Sequence, residues 1–435
     1  MPYAQTAKAL SRVLSQGRSL SEVLSDPAIS DHPQAAKIKA WCYESLRWGH
    51  RLLPLVQKDY QARKGKKGAW LESLLLISAW QLFINGHAEH AVVNESVKAA
   101  TKLNASWAKG LINAVLRKWL RENPLEAEGL SPQKQAVREW SHPNWMILRL
   151  KNDWPDSWQE ILQAGNNKAP MWLRCNLSEQ REFLQRSEYQ QLLKKNEVAS
   201  HIIEKSPQSA ILLDKPVSVD DLPGFNKGQV SVQDAAAQWV AEVLPFGGNK
   251  TLDACSSPGG KAAHYLEKYP DQQLMALEVD EKRVELIRST RARLGLKINI
   301  WQADASAPDS WWDGQHFDQI LVDAPCSGSG VIRRHPDIKF LRRESDIQNL
   351  VDLQKSILDA TWTTLKPGGH LLYTTCSVYK DENHHQIEKF LARTDDAQCI
   401  EVEGPPGIQS PFGMQLIPGT NDMDGFFYAL LKKRL

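Results

Sequence analysis

At 435 residues the chain is about three times the length of a typical single domain, so two or three domains are expected. Its 42% hydrophobic and 24% charged residues exclude wholesale disorder and a fibrous repeat. The net charge of +2 conceals an asymmetry, because residues 1–165 carry 22 Lys+Arg against 15 Asp+Glu while the remainder carries 31 against 36.

The first third is therefore the part suited to a polyanion, and the run Arg63, Lys64, Lys66 and Lys67, interrupted by glycine, suits phosphate. Most of the 16 tryptophans are expected to be core anchors. Six scattered cysteines, with no CxxC pair, argue against structural zinc and against a disulfide framework. Lys8 and Arg12 interrupt any secretory h-region, and Ala69 to Ile84 contains Glu72 and Gln81 and is shorter than the roughly 20 apolar residues a membrane span needs. A soluble, monomeric protein of the reducing cytoplasm, without metal or membrane, is expected.

To about residue 140 the apolar residues recur at helical spacing, as in Ile38, Trp41, Cys42, Leu46 and in Leu111, Ile112, Val115, Leu116, Trp119. Asn123-Pro124 is a stop signal for the second of these helices. The segments Ala91 to Lys98 and Asn113 to Arg117 resemble the NusB family of helical RNA-binding modules. Residues 1–142 are thus expected to form an all-helical NusB-like domain. From 143 to 230 shorter segments punctuated by Pro170, Pro207, Pro216, Pro223 and Gly224 suggest a small α+β linking domain.

Residues 231–435 alternate strands and helices. Strands are expected at Thr251 to Cys255, Leu274 to Val279, Ile298 to Ala303, Phe317 to Val322 and His370 to Thr375, with helices at Glu281 to Leu294 and Ile347 to Leu365. Such alternation predicts an α/β, Rossmann-like domain with a parallel sheet that binds ligands at the carboxyl ends of its strands. The first strand runs into Asp253-Ala-Cys255-Ser256-Ser257-Pro258-Gly259-Gly260-Lys261, and the second ends in Glu278, a carboxylate able to accept both ribose hydroxyls. A phosphate-binding P-loop is excluded, because Cys255 occupies the first glycine position and Ala262 stands where a Ser or Thr is required. No GxGxxG follows a strand. An adenosine cofactor without an obligatory polyphosphate remains, which describes S-adenosylmethionine.

The fourth strand ends in Asp323-Ala-Pro-Cys326-Ser-Gly-Ser-Gly330 and the fifth in Tyr373-Thr-Thr-Cys376-Ser-Val378, so two cysteines should face one ligand crevice. Together with Gly228 to Asp234 and Asp424 to Ala429, these motifs resemble the RNA cytosine-5 methyltransferases of the Sun/Fmu/NOL1/NOP2 family over residues 143 to 435. Joined to the NusB-like start, the chain is similar to the bacterial methyltransferases of 16S, small-subunit ribosomal RNA of the RsmB type. The chain departs from the family pattern at Ser256-Ser257, commonly Ala-Ala, and at Glu278, commonly Asp.

The resemblance implies that Cys376 adds to carbon 6 of a cytosine, so that carbon 5 can attack an activated methyl group. It further implies that Asp323 binds the base edge near N3, that Cys326 assists release, and that Asp304 lies on the adenine side of the cofactor. A carboxylate beside a thiolate is electrostatically unfavourable, so Asp323 is expected to be protonated or to share a proton with the base. Arg333, Arg334, Arg342 and Arg343 are candidate phosphate contacts. Transfer RNA is the alternative substrate. The alternative classes are an amino-methyltransferase, which would carry an Asn/Asp-Pro-Pro-aromatic motif, and a non-catalytic RNA-binding assembly factor.

Overall fold

The computed structural model describes residues 2–61, 65–126, 129–178 and 185–435, which form two compact units. One holds residues 1–168 together with 332–344, the other residues 169–331 with 345–435.

The first unit is helical. Its boundaries follow local chemistry: Ser19 and Asp26 cap the short helices Leu20–Leu24 and Pro27–Ser30, and Ser131 caps Pro132–Trp140 with proline in the first turn. Asn123 adopts a left-handed conformation at φ 41° and ends Lys109–Glu122 at the expected stop. Leu10, Ile38, Cys42, Leu46, Leu74, Leu116 and Trp119 line one buried core, and the Trp119 indole donates to Asp59 Oδ2 at 2.7 Å. The helices continue past residue 140 through Asn144–Asp153 to Trp158–Asn166. Lys66 and Lys67 are exposed at the start of the helix Lys66–Phe83, while Arg63 and Lys64 lie outside the described residues.

Residues 332–344 belong to this helical unit although they follow the Cys326 motif in the chain. Lys339 anchors them: its buried ammonium donates to Arg47 O (3.0 Å), Ser141 O (3.1 Å) and Asn166 Oδ1 (2.7 Å), matching three donors with three acceptors. Asp337 accepts the Leu20 N–H at 2.9 Å, and Phe340 stacks on His50. This corrects the reading of Arg333 as a phosphate contact. Its side chain is buried, and its carbonyl accepts from the Arg47 guanidinium at 3.1 Å. Arg343 is exposed, and Arg334 and Arg342 are half-buried.

The second unit contains two sheets among the described residues. Strands β1 (Met171–Cys175), β2 (Ser200–His201), β3 (Ala210–Leu213) and β4 (Val230–Val232) form an antiparallel sheet in the order β2-β3-β1-β4. The larger sheet contains β5 (Lys250–Asp253), β6 (Gln273–Glu278), β7 (Ile298–Gln302), β8 (Phe317–Asp323), β9 (Leu365–Thr375), β10 (Ala397–Ile400), β11 (Ile408–Ser410), β12 (Gly413–Leu416) and β13 (Phe426–Lys433). Its order is β11-β12-β13-β9-β8-β5-β6-β7, with β10 paired to β13. Strands β5 to β9 are mutually parallel, as the alternation predicts. The C-terminal strands were not foreseen: β13 lies antiparallel to β9, so the sheet is mixed.

Side-chain alternation along the central strands builds a core on each face. Leu321 and Leu372 join Ala236, Val240 and Ala262 on one face, and Ile320, Val322, Leu371 and Tyr373 join Ile357, Leu358 and Ile387 on the other. Strand β5 sits between β6 and β8, so the chain reverses its direction of sheet growth there. A crevice at the carboxyl ends of β5 and β8 is the expected ligand site of such a sheet.

Candidate functional site

The turn after β5 is held by its own side chains. Ser256 N–H donates to Leu277 O at 2.9 Å, tying the turn to β6, and Ser256 Oγ donates to Asp253 Oδ2 at 2.8 Å. Ser257 Oγ donates to Arg283 O at 3.2 Å, and the Ser257–Pro258 bond is cis. Both departures at Ser256-Ser257 therefore contribute hydrogen bonds that alanine lacks. Gly259 has φ 92°, where a side chain would be strained, and opens the helix Gly260–Lys268.

Arg174 on β1 is a residue that motif reading missed. Fully buried, it pairs with both Glu267 oxygens (2.9 and 2.7 Å), and its Nη1 donates to Gln233 Oε1 (2.5 Å) and to the Gly260 carbonyl (2.7 Å). The signal available was an arginine inside the otherwise apolar run Met171–Cys175, since a buried guanidinium needs a partner. Asp234, closing the Gly228 to Asp234 motif, caps Ala235–Val243 and also accepts the Asp424 N–H at 3.0 Å.

Two buried carboxylates face the mouth of the sheet. Asp253 Oδ1 has no hydrogen-bond partner, and Glu278, 4% exposed, accepts the Asp280 N–H at 3.1 Å and lies 3.4 Å from the Arg283 guanidinium. Burial lifts the Asp253 carboxyl to about 7; the Ser256 hydrogen bond and Lys261 oppose the rise, and the Asp323 charge adds to it. Burial also raises the Cys255 thiol, reinforced by Asp253, Asp323 and Glu278. Asp304, after β7, is exposed and accepts from Ser306 N–H (2.9 Å) and Oγ (2.7 Å) in a local turn.

The raised Asp253 carboxyl makes folding stability depend on pH. A carboxyl that titrates higher folded than unfolded keeps a proton in the native chain that the unfolded chain has released, so stability falls as pH rises from about 4 to 7. At 1.36 kcal/mol per unit the loss is about 4 kcal/mol at most. Asp253→Asn should flatten this slope in urea unfolding of the ligand-free protein at pH 5 and pH 8. Parallel slopes for the two proteins would contradict it.

The structure brings Cys326 and Cys376 together with their sulfurs 3.4 Å apart, both as free thiols, at the ends of the parallel neighbours β8 and β9. The hydrogen bond to Cys376 and burial hold the Cys326 thiol well above its usual range, with further contributions from the Cys376 and Glu382 charges. Either sulfur can be the donor in this 3.4 Å contact. Close packing supports this geometry: Gly330 N–H donates to Cys376 O and Gly425 N–H to Gly330 O, both at 2.9 Å, and a Cβ on Gly330 would sit 2.3 Å from Gly425 O.

Asp323 Oδ2 receives the Lys261 ammonium at 2.6 Å, and Thr374 Oγ1 lies 3.3 Å from Oδ1. Burial disfavours the Lys261 charge, but Asp323 outweighs it and raises the ammonium above its ordinary value. Lys261 thus supplies the counter-charge that the sequence reading of Asp323 lacked. Among the described residues no cluster of His, Cys, Asp or Glu is arranged to hold a metal, and no helix is long and apolar enough to cross a membrane.

Three family models match consecutive stretches: the NusB family over residues 4–121, the ferredoxin-like domain of the RsmF/B-like methyltransferases over 142–220, and the 16S rRNA methyltransferase RsmB/F model over 242–432. Ribosomal RNA small subunit methyltransferase B of Vibrio cholerae is 42% identical, the match covering 99% of this chain and 97% of that protein. Its counterpart in Vibrio vulnificus is 43% identical with 99% of each covered. A methyltransferase homologue from Pyrococcus horikoshii, solved as a crystal structure, superposes with a TM-score of 0.59 at 26% identity, covering 70% of this chain and all of that one. With near full-length identity above 40% and all three parts in the same order, the chain belongs to the ribosomal RNA small subunit methyltransferase B family.

Proposed function

We propose that the protein methylates carbon 5 of a cytosine in 16S ribosomal RNA, using S-adenosylmethionine and a transient covalent bond from Cys376 to carbon 6. The observation that carries this reading is the pair of free sulfurs 3.4 Å apart at the carboxyl ends of β8 and β9, where the Lys261–Asp323 ion pair also lies. Such a pair has no use in transfer to an exocyclic nitrogen, and no Asn/Asp-Pro-Pro-aromatic motif follows β8.

The residues Cys255, Ser256, Ser257, Pro258, Gly259, Gly260 and Lys261, with Glu278, Asp304 and Asp323, would hold the cofactor. The partnerless Asp253 Oδ1 and the buried Glu278 carboxylate fit a group bearing hydroxyl and ammonium donors. When bound, the cofactor supplies an electrophilic methyl group. The Cys326 S–H donates to Cys376 and so stabilises its thiolate. Cys376 sulfur then bonds to carbon 6, and the displaced π electrons make carbon 5 nucleophilic. Asp323, steadied by Lys261, holds the base edge near N3, and the Lys261 ammonium supplies positive charge beside the negative charge that develops there. After methylation Cys326, deprotonated at this stage, takes the carbon-5 proton; the electron pair of that bond restores the ring double bond and the sulfur–carbon bond breaks to return the Cys376 thiolate. The target base must be unstacked to reach these sulfurs.

In the same reading residues 1–142 capture RNA, 143–230 link, and 231–435 catalyse. Transfer of labelled methyl groups to small-subunit ribosomal RNA, followed by nucleoside analysis, should yield 5-methylcytidine; label on N4, or on transfer RNA alone, would overturn it. For the cofactor site, Glu278→Ala should weaken S-adenosylmethionine about 100-fold, as loss of two charge-assisted hydrogen bonds worth about 3 kcal/mol. Calorimetry showing unchanged affinity would remove Glu278 from the site.

A further inference from the structure

We propose that Glu382 is the positioning residue that sets the spacing of the two cysteines, by gripping the residue that follows each of them. The inference rests on the cysteine chemistry proposed above and concerns a side chain that none of the motifs contains.

Glu382 lies in a short turn after β9 and is completely buried. Its Oε1 accepts the Ser327 N–H at 2.7 Å and the Gln354 amide at 3.1 Å, and its Oε2 accepts the hydroxyls of Ser327 at 2.6 Å and Ser377 at 2.5 Å. Ser327 follows Cys326 and Ser377 follows Cys376, so one carboxylate joins the two loops that carry the sulfurs. Gln354 extends the grip by donating also to Pro325 O at 2.9 Å, ahead of Cys326. Ser329 Oγ, 3.0 Å from Ser377 Oγ, accepts the Val378 N–H at 2.9 Å and closes the network from the other side.

A carboxylate suits this place because it only accepts, and all four groups facing it can donate. Burial makes the assembly all-or-none: a missing acceptor leaves donors that no water reaches. Hydrogen-bonded serines also keep both cysteine loops in one conformation, without which two thiols on separate strands would not hold a 3.4 Å contact.

The test compares Glu382→Ala and Glu382→Gln with wild type in the full chain. A misplacement of about 1 Å at reacting atoms costs about 100-fold in rate, so Glu382→Ala should lower kcat by about that factor. The KM for RNA and the calorimetric Kd for S-adenosylmethionine should stay within about threefold, since neither is bound by this network. Glu382→Gln should recover kcat to within about tenfold of wild type, because both serine hydroxyls can turn to accept from the new amide. A kcat for Glu382→Ala equal to wild type, or equal losses in kcat and in both binding constants, would overturn the proposal. Should Glu382→Ala fail to fold by circular dichroism, the double variant Ser327→Ala/Ser377→Ala takes its place with the same expected split. Cys376→Ala run alongside separates the two readings. If it still methylates, the cysteine chemistry fails; if it is inactive while Glu382→Ala matches wild type, only the positioning role fails.

Discussion

Cys376→Ala should lose methyl transfer and covalent attachment to RNA together, whereas Cys326→Ala should accumulate a methylated protein–RNA complex that survives denaturing electrophoresis. The loss of turnover in Cys376→Ala is expected to reach on the order of 10^4-fold or more, the scale seen when a covalent nucleophile is removed. The two sulfurs are only 3.4 Å apart, yet their surroundings differ. Its contact with Cys376, burial and nearby negative charge raise the Cys326 thiol above its usual range, which makes it the poorer nucleophile of the two. In Cys326→Ala the Cys376 sulfur loses its neighbouring thiol, so addition should slow without stopping, while release loses the group assigned to it. The measurement is a gel of each variant incubated with ribosomal RNA and methyl-labelled cofactor. A trapped complex in Cys376→Ala and none in Cys326→Ala would exchange the roles; full activity in both would end the cysteine mechanism.

The elements that could be read from the chain were those whose signal is local. Asn123-Pro124 stops its helix because a left-handed residue and a proline act on their own backbone, and β5 to β9 were recognisable because short strands ending beside turns alternate with helical stretches. The cysteines and the Cys255 to Lys261 turn were legible as motifs in the same way. What escaped were pairings over long sequence separations, where residue type alone names no partner. Lys261 reaches Asp323 across 62 positions and Arg174 reaches the Gly260 carbonyl across 86. The membership of residues 332–344 in the helical unit depends on Lys339 meeting oxygens from three separate places in the chain. Antiparallel β13 was missed for a related reason: it pairs Phe427 with Thr375, across 52 positions, and nothing in the run Phe426–Leu431 names that partner.

Arg174→Ala should destabilise the protein by about 3–5 kcal/mol, the cost of breaking a buried ion pair from one side. The arithmetic rests on Glu267, whose side chain is 3% exposed and which Arg174 meets with two parallel hydrogen bonds. Without the guanidinium, that carboxylate loses both of these hydrogen bonds in the interior, and the Gly260 carbonyl and Gln233 lose a donor as well. Lysine should be a poor substitute, because a point charge cannot reproduce the fork that serves three groups at once. The destabilisation is expected as a shift in urea midpoint with an unchanged slope, and cofactor affinity should fall with it, because Arg174 holds the first residue of the helix that follows the turn. The double variant Arg174→Met/Glu267→Leu distinguishes ion pairing from packing. With both charges gone, much of the lost stability should return, while the weakened cofactor binding should persist because the Gly260 carbonyl still lacks its donor. Midpoints for Arg174→Ala within error of wild type would show that Glu267 finds solvent or another partner, and would remove β1 from the support of the Cys255 to Lys261 turn.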